Sequence, residues 1–189
     1  MVGKEVIILR IFQVDKNIEA LIIGIKDVNI KDPEVLLKNI QKVVIGGFAQ
    51  GFVAQFIAGP KHLELIIKQA WEAKKRNIPY VEKFDLDLLI RIACTLQIHK
   101  ALKTVGFKKG IMDIVILAIG KEKTLKNLIK YVNSIGTFSD QVLEGNTERI
   151  EFLKSTYKIS KELIENTLYR KDILAYLLTE KAAILKAKS

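Results

Sequence analysis

The hydrophobic pattern changes period several times along this chain, and each change marks an element. The start, MVGKEVIILRIF, alternates as a strand does, and Val6 to Val14 is rich in branched and aromatic residues. Ala20 to Ile25 reads as a second strand, with Asp15-Lys16-Asn17 as the turn between them. Asp32-Pro33 then opens a helix, since aspartate can cap it and proline tolerates the first turn. Val35, Leu36, Ile40, Val43 and Val44 give that helix a buried side. From Pro60 to about Arg76, Leu63, Ile66, Ile67, Ala70 and Ala73 recur at helical spacing until Asn77-Ile78-Pro79 breaks the run.

The stretch Asp85 to Gly110 reads as two short helices and a basic turn. Leu86, Leu89, Ile90 and Ala93 line one face of the first; Ile98, Ala101, Leu102 and Val105 line one face of the second. Gly106 stands where a helix ends on a left-handed residue, and Lys108-Lys109 follow. Opposite the second stripe lies a polar line, Gln97, Lys100 and Thr104. Met112 to Ile119 is a continuous apolar run, as in a strand covered on both faces. After Gly120, Glu122 to Asn133 is an amphipathic helix, and Ser134 to Asn146 a loop. Thr147 caps a helix through Tyr157, Ser160 caps another with Glu162 in its first turn, and Lys171 to Lys186 forms the last. That helix is apolar on much of its circumference, so it is well buried or shared with a partner. Together these predict one α/β domain (mixed α+β) over residues 1–189, with a small mixed β-sheet and about six to eight helices.

Val43 to Pro60 contains no charged residue over eighteen positions and includes the small-xxx-small pattern Gly47 to Gly51. A membrane span is one reading. The run is short for a core of roughly 30 Å, and its four glycines and two glutamines weaken insertion. The preferred reading is a helix end, a glycine turn and a buried strand, Phe52 to Ala58.

At 189 residues, 49% hydrophobic and 28% charged, the chain has the makings of a globular protein with a real core. The net charge of +10 is concentrated. Residues 1–60 hold 7 basic against 6 acidic side chains, residues 61–135 hold 15 against 7, and residues 136–189 hold 9 against 8. A focused positive centre attracts polyanions, nucleic acid first. The single cysteine, Cys94, allows no internal disulfide and no cysteine-based metal cluster, which fits a reducing interior.

Catalytic signatures are absent. Cys94 and His99, five apart, would point roughly 140° from each other on one helix, the wrong geometry for nucleophile and base. Asp85 and Asp87 cannot face a common point from one regular helix, and His62 reads as a structural residue. The turn after Ile119 could hold a phosphate at a helix start, which keeps a small-molecule or nucleotide-binding α/β enzyme as an alternative. Gly120-Lys121-Glu122 nevertheless lacks the upstream glycine and the Ser/Thr of a P-loop.

A run of motifs in fixed order carries a resemblance. They are Ile57-Ala58-Gly59-Pro60-Lys61-His62-Leu63, Ala70-Trp71-Glu72-Ala73, Leu88-Leu89-Ile90-Arg91, Thr95-Leu96-Gln97-Ile98-His99-Lys100-Ala101-Leu102, Tyr157-Lys158-Ile159-Ser160 and Leu177 to Leu185. In this the chain resembles the small tRNA-binding subunits of the KEOPS (EKC) complex, the TPRKB-like family. The resemblance implies a non-enzymatic cytoplasmic protein, also nuclear in a eukaryote, without cofactor or metal. It implies binding to a PRPK-type (Bud32-like) atypical kinase, contact with other KEOPS subunits through that kinase, and recruitment of tRNA by its single-stranded 3′ CCA end for threonylcarbamoyladenosine modification. Three positions depart from the family pattern: Cys94 and Leu96 stand where it often has a glycine and a basic residue, and Lys181 where it usually has an arginine. Joined to the basic centre, the resemblance nominates Lys61, Arg91, Gln97, Lys100, Lys108 and Lys109 for RNA, with Phe107 and Trp71 as candidate stacking aromatics. The apolar last helix nominates Leu174, Leu177 and Leu178 for the kinase.

Overall fold

A computed structural model describes residues 10–165 and 172–188. Its centre is a long strand, β2 (Ile18–Ile30), paired on one side with β1 (Arg10–Asp15) and on the other with β4 (Gly110–Gly120). β3 (Phe48–Val53) takes the far side of β4, and the short β5 (Thr137–Phe138) pairs with Ile25 and Lys26 of β2, giving the order β1-β2-β4-β3. Every pairing is antiparallel, where the sequence had suggested a mixed sheet. The continuous apolar run of β4 reflects cover on both faces, which an antiparallel strand can also have.

Side-chain alternation sorts the two faces. Ala20 and Ile22 of β2 and Val115, Leu117 and Ile119 of β4 meet α2 (Pro60–Lys75), α3 (Phe84–Ala93) and α4 (Ile98–Val105). Leu21, Ile23 and Ile25 of β2 and Ile114, Ile116 and Ala118 of β4 meet α1 (Pro33–Val43) and α5 (Glu122–Val132). Each such buried valine, leucine or isoleucine contributes about 1.5–3 kcal/mol. A third cluster joins α6 (Thr147–Tyr157), followed by the short α7 (Lys161–Glu165), to α8 (Ile173–Ala183), which lies across α2 and α3.

Several boundaries differ from the sequence reading, each for a local reason. β2 continues past Ile25 because Asp27 takes a left-handed backbone (φ 52°) and its N–H donates to Asp113 Oδ1 at 2.9 Å, forming a bulge that carries the pairing on to Ile30. The glycine stretch 47–51 lies mostly in β3 rather than in a turn, and the expected strand Phe52–Ala58 gives way at Ala54 to a 3₁₀ turn. The eighteen uncharged residues are therefore a helix end, a strand and a turn. Among the described residues no helix is long and apolar enough to cross a membrane. Asn146, not Thr147, caps α6, accepting the Arg149 N–H at 2.8 Å, whereas Ser160 does cap α7 through the Leu163 N–H. The expected beginnings of the first strand, before Arg10, and of the last helix, at Lys171, lie outside the described residues.

Candidate nucleic-acid interface

The corner between α3 and α4 is made by one residue. Cys94 takes the left-handed conformation (φ 49°, ψ 42°), and Thr95 N–H donates back to Ile90 O at 3.2 Å, closing α3 with a Schellman-type stop. A glycine adopts that backbone freely, while another residue is strained by roughly 1–2 kcal/mol, so the glycine common at this place in the resembling family suits the geometry. Cys94 and His99 consequently share no helix. The thiol is placed to donate to Arg91 O or to Leu178 O of α8, and burial pushes its pKa up to about 12, only partly offset by nearby Lys181. It is no nucleophile at neutral pH.

From this corner α4 buries Ala101 and Val105 and presents Gln97, His99, Lys100 and Lys103 to solvent. Leu102, which its spacing assigns to the buried stripe, is 42% exposed. Gly106 is extended (φ −70°) rather than left-handed; what it requires is space, because a Cβ there would lie 2.6 Å from Leu102 O. Lys108 finishes the helix instead. Its ammonium donates to Leu102 O at 3.1 Å and to Lys103 O, a cation at the negative end of the helix. Burial, then the neighbouring Lys103, lowers its pKa. Among the described residues Lys100, Lys103 and Lys109 have no ion-pair partner, and no acidic residue occurs between Leu88 and Met112. The result is a strip of positive charge without ion pairs along one helix and the turn after it, with Asp32 and Glu34 of the α1 start lining the same groove as Lys103 and Lys108.

Beside the end of α4 opens a groove of about 720 Å³, walled by Lys31, Leu37, Gly51, Leu102, Lys103 and Phe107 among others. Phe107 belongs to its floor. The ring lies against Gly51 and is 9% exposed, so it offers no stacking platform. Trp71 is fixed as well, with its indole N–H donating to Asp15 Oδ2 at 3.0 Å and its ring edge-on to Phe84.

Of the residues nominated for RNA, Gln97 occupies the N-cap of α4, Lys100 lies on it, and Lys108 and Lys109 follow in the turn after it. Lys61 stands apart on the first turn of α2, paired with Glu64 at 3.1 Å and near Asp172 and Tyr176 of α8. Arg91 is a correction: it is 3% exposed and spends its charge on Asp87, one turn earlier on the same buried face, at 2.7 Å. Leu174, Leu177 and Leu178 are 8%, 7% and 0% exposed and fill the third core cluster, so they offer no free surface. Lys103 and Lys181 were missed. Lys103 is one turn from Lys100, and Lys181 lies in the last of the recognised motifs, which the fold brings beside Cys94.

Elsewhere the chemistry is quiet. His62 is fully buried; Nδ1 accepts the Ala58 N–H at 3.3 Å, Nε2 has no partner, and desolvation lowers its pKa to about 3. At the turn after Ile119 the first helical residue, Glu122, is paired with Lys126 at 2.6 Å, which puts a carboxylate at the helix end where a phosphate would sit.

No family model matches this chain. Over 106 residues it is 30% identical to the regulatory protein Cgi121 of Methanocaldococcus jannaschii, an alignment that covers 56% of this chain and 67% of that protein.

Proposed function

The chain belongs to the Cgi121 family, the KEOPS small-subunit family whose motifs it carries, and on that premise we propose that it is a non-catalytic subunit that recruits tRNA by its single-stranded 3′ end. The observation that carries this reading is the acid-free strip on α4 and the turn after it, where Lys100, Lys103 and Lys109 are exposed and make no ion pair among the described residues. Single strands are held by a cationic track along the phosphates, with apolar or aromatic surfaces for the bases. Gln97 at the start of α4 adds a hydrogen-bonding group, and half-exposed Leu102 beside the groove adds an apolar one. Lys108 supports the strip from behind by capping the helix, while Lys61, neutralised by Glu64, is not part of it. Binding to a PRPK-type kinase is proposed on the ground of family membership. For it α8 offers the exposed Glu180 and Ala183, with Ile184 beyond, since the three leucines face inward.

The test is a tRNA titration at several salt concentrations. Replacing Lys100 or Lys109 by Ala is expected to weaken binding and flatten the dependence of log affinity on log salt by about 0.7 each, the share of one single-strand phosphate. Lys16→Ala, in the β1–β2 turn, serves as the control and should change little. Trimming the terminal CCA should cost more than either lysine, because several contacts vanish together. Equal affinity for trimmed and intact tRNA would sink the end-recognition claim.

A further inference from the structure

Arg91 and Asp87 form a buried ion pair whose every arm ends on α8. Asp87 is 0% and Arg91 3% exposed, a placement that costs both charges their hydration unless all their hydrogen bonds are made. Asp87 Oδ2 accepts from Arg91 Nε at 2.7 Å, and Oδ1 accepts the Tyr80 N–H at 2.7 Å. The guanidinium lies over the Tyr80 ring, 4.4 Å from its centre. Tyr80 then reaches α8 directly: its hydroxyl is placed to donate to Ala182 O (2.8 Å) or Ala183 O (2.7 Å). A second route leaves from Arg91 Nη1, which donates to Gln69 Oε1 at 2.7 Å, while Gln69 Nε2 donates to Thr179 O at 3.1 Å. Both routes finish on residues 179–183, the segment that contains Lys181, the cation near Cys94 at the α3–α4 corner.

We infer that Arg91, through Asp87, Tyr80 and Gln69, is a positioning residue that fixes α8 in register with the α3–α4 corner, where Cys94 Sγ lies 3.7 Å from Leu178 O, one turn before Lys181, so that Lys181 is held at that corner as a further phosphate contact. The inference rests on the RNA-binding reading above. It gives the buried arginine a role in RNA affinity with no contact to RNA, and it enlarges the strip on α4 by one cation from a different element. A mobile α8 would spend part of the binding free energy on ordering Lys181, whereas a latched one presents it already in place.

The experiment is a cycle of variants of the full chain, each titrated with intact tRNA over a range of salt. Lys181→Ala should flatten the salt dependence by about 0.7, one single-strand phosphate. Tyr80→Phe removes only the hydroxyl latch; it should lower affinity by no more than Lys181→Ala does and add nothing when the two are combined. Because Arg91→Met alone would strand the Asp87 charge and risk unfolding, the pair is tested as Asp87→Leu with Arg91→Met. Combined with Lys181→Ala, this variant should still show the loss of one contact. A loss of about 1.4 would mean that Arg91 itself binds phosphate and would overturn the proposal. So would additive effects of Tyr80→Phe and Lys181→Ala. Lys100→Ala separates the two levels. If it weakens binding while Lys181→Ala and Tyr80→Phe do not, the positioning role alone is wrong; if it too leaves binding unchanged, the RNA reading falls and takes this inference with it.

Discussion

Gly51 and Phe107 give a prediction whose sign reverses with background. A Cβ added at Gly51 would overlap Cζ, Cε1 and Cε2 of the Phe107 ring. Gly51 has ordinary extended backbone in β3, so alanine meets no conformational obstacle there, only the ring. Relieving the overlap means moving a ring wedged at the base of the α4–β4 turn, and overpacking of this kind costs about 1–3 kcal/mol. Gly51→Ala should therefore lower the stability of the wild-type chain by that amount. Phe107→Leu should cost about 1 kcal/mol by itself, the scale of one or two buried methylenes. A leucine, however, ends at its Cδ atoms and lacks the three carbons involved. In the leucine background, Gly51→Ala is expected to stabilise by about 0.5–1 kcal/mol, the usual advantage of alanine over glycine inside a strand. The assay is urea unfolding of the four variants with m held in view, so that a shift in midpoint reads as stability. If Gly51→Ala costs the same in both backgrounds, the ring is not what excludes a side chain from β3, and the account of the groove floor fails.

Three further outcomes are expected. His62, neutral in the fold with its pKa lowered to about 3 against the ordinary 6.5, is protonated more readily in the unfolded chain; stability should fall by up to about 1.4 kcal/mol per pH unit as pH drops below 6.5, and His62→Met should remove that component in guanidinium titrations between pH 6.5 and 5. Leu177→Asp puts a carboxylate into the third core cluster and should cost about 3 kcal/mol or more, visible as lost helical circular dichroism in the isolated protein before any partner is added. Lys108→Ala uncaps α4 and should lower stability by about 0.5–1 kcal/mol, while Lys109→Ala leaves melting unchanged; equal effects would remove the capping role.

Period and punctuation in the sequence located α1, α2, α4, α5 and α6 to within a residue or so, because each has a one-sided apolar stripe and a polar or proline start. They were blind where tertiary contact overrides local pattern. The glycines of β3 look like a turn until Phe107 is laid against Gly51 and Ile119 O against Gly47. Lys26-Asp27 looks like a strand end until Asp113 is brought beneath it. At the candidate interface, a lysine strip on α4 was legible because exposed charges on one short helix need no partner to be read. Arg91 was misassigned for the converse reason. Its spacing from Asp87 was visible, but only the packing of α2 and α8 shows that face to be interior. The three leucines of α8 failed in the same way, since an apolar circumference does not say who covers it.

The single thiol of the chain lies beside α8, its hydrogen within reach of Arg91 O or Leu178 O and its acidity suppressed. This makes Cys94 a clock. Cys94 is partly buried there, so an alkylating reagent should react faster once α8 lifts from the α3–α4 corner, and a change in the modification rate reports a change in how often that helix opens, with no background from another sulfhydryl. Bound tRNA or a bound partner that needs α8 closed must slow the clock, and one that needs it open must speed it. The effect of either on this helix can thus be timed by mass spectrometry on the unlabelled wild-type protein.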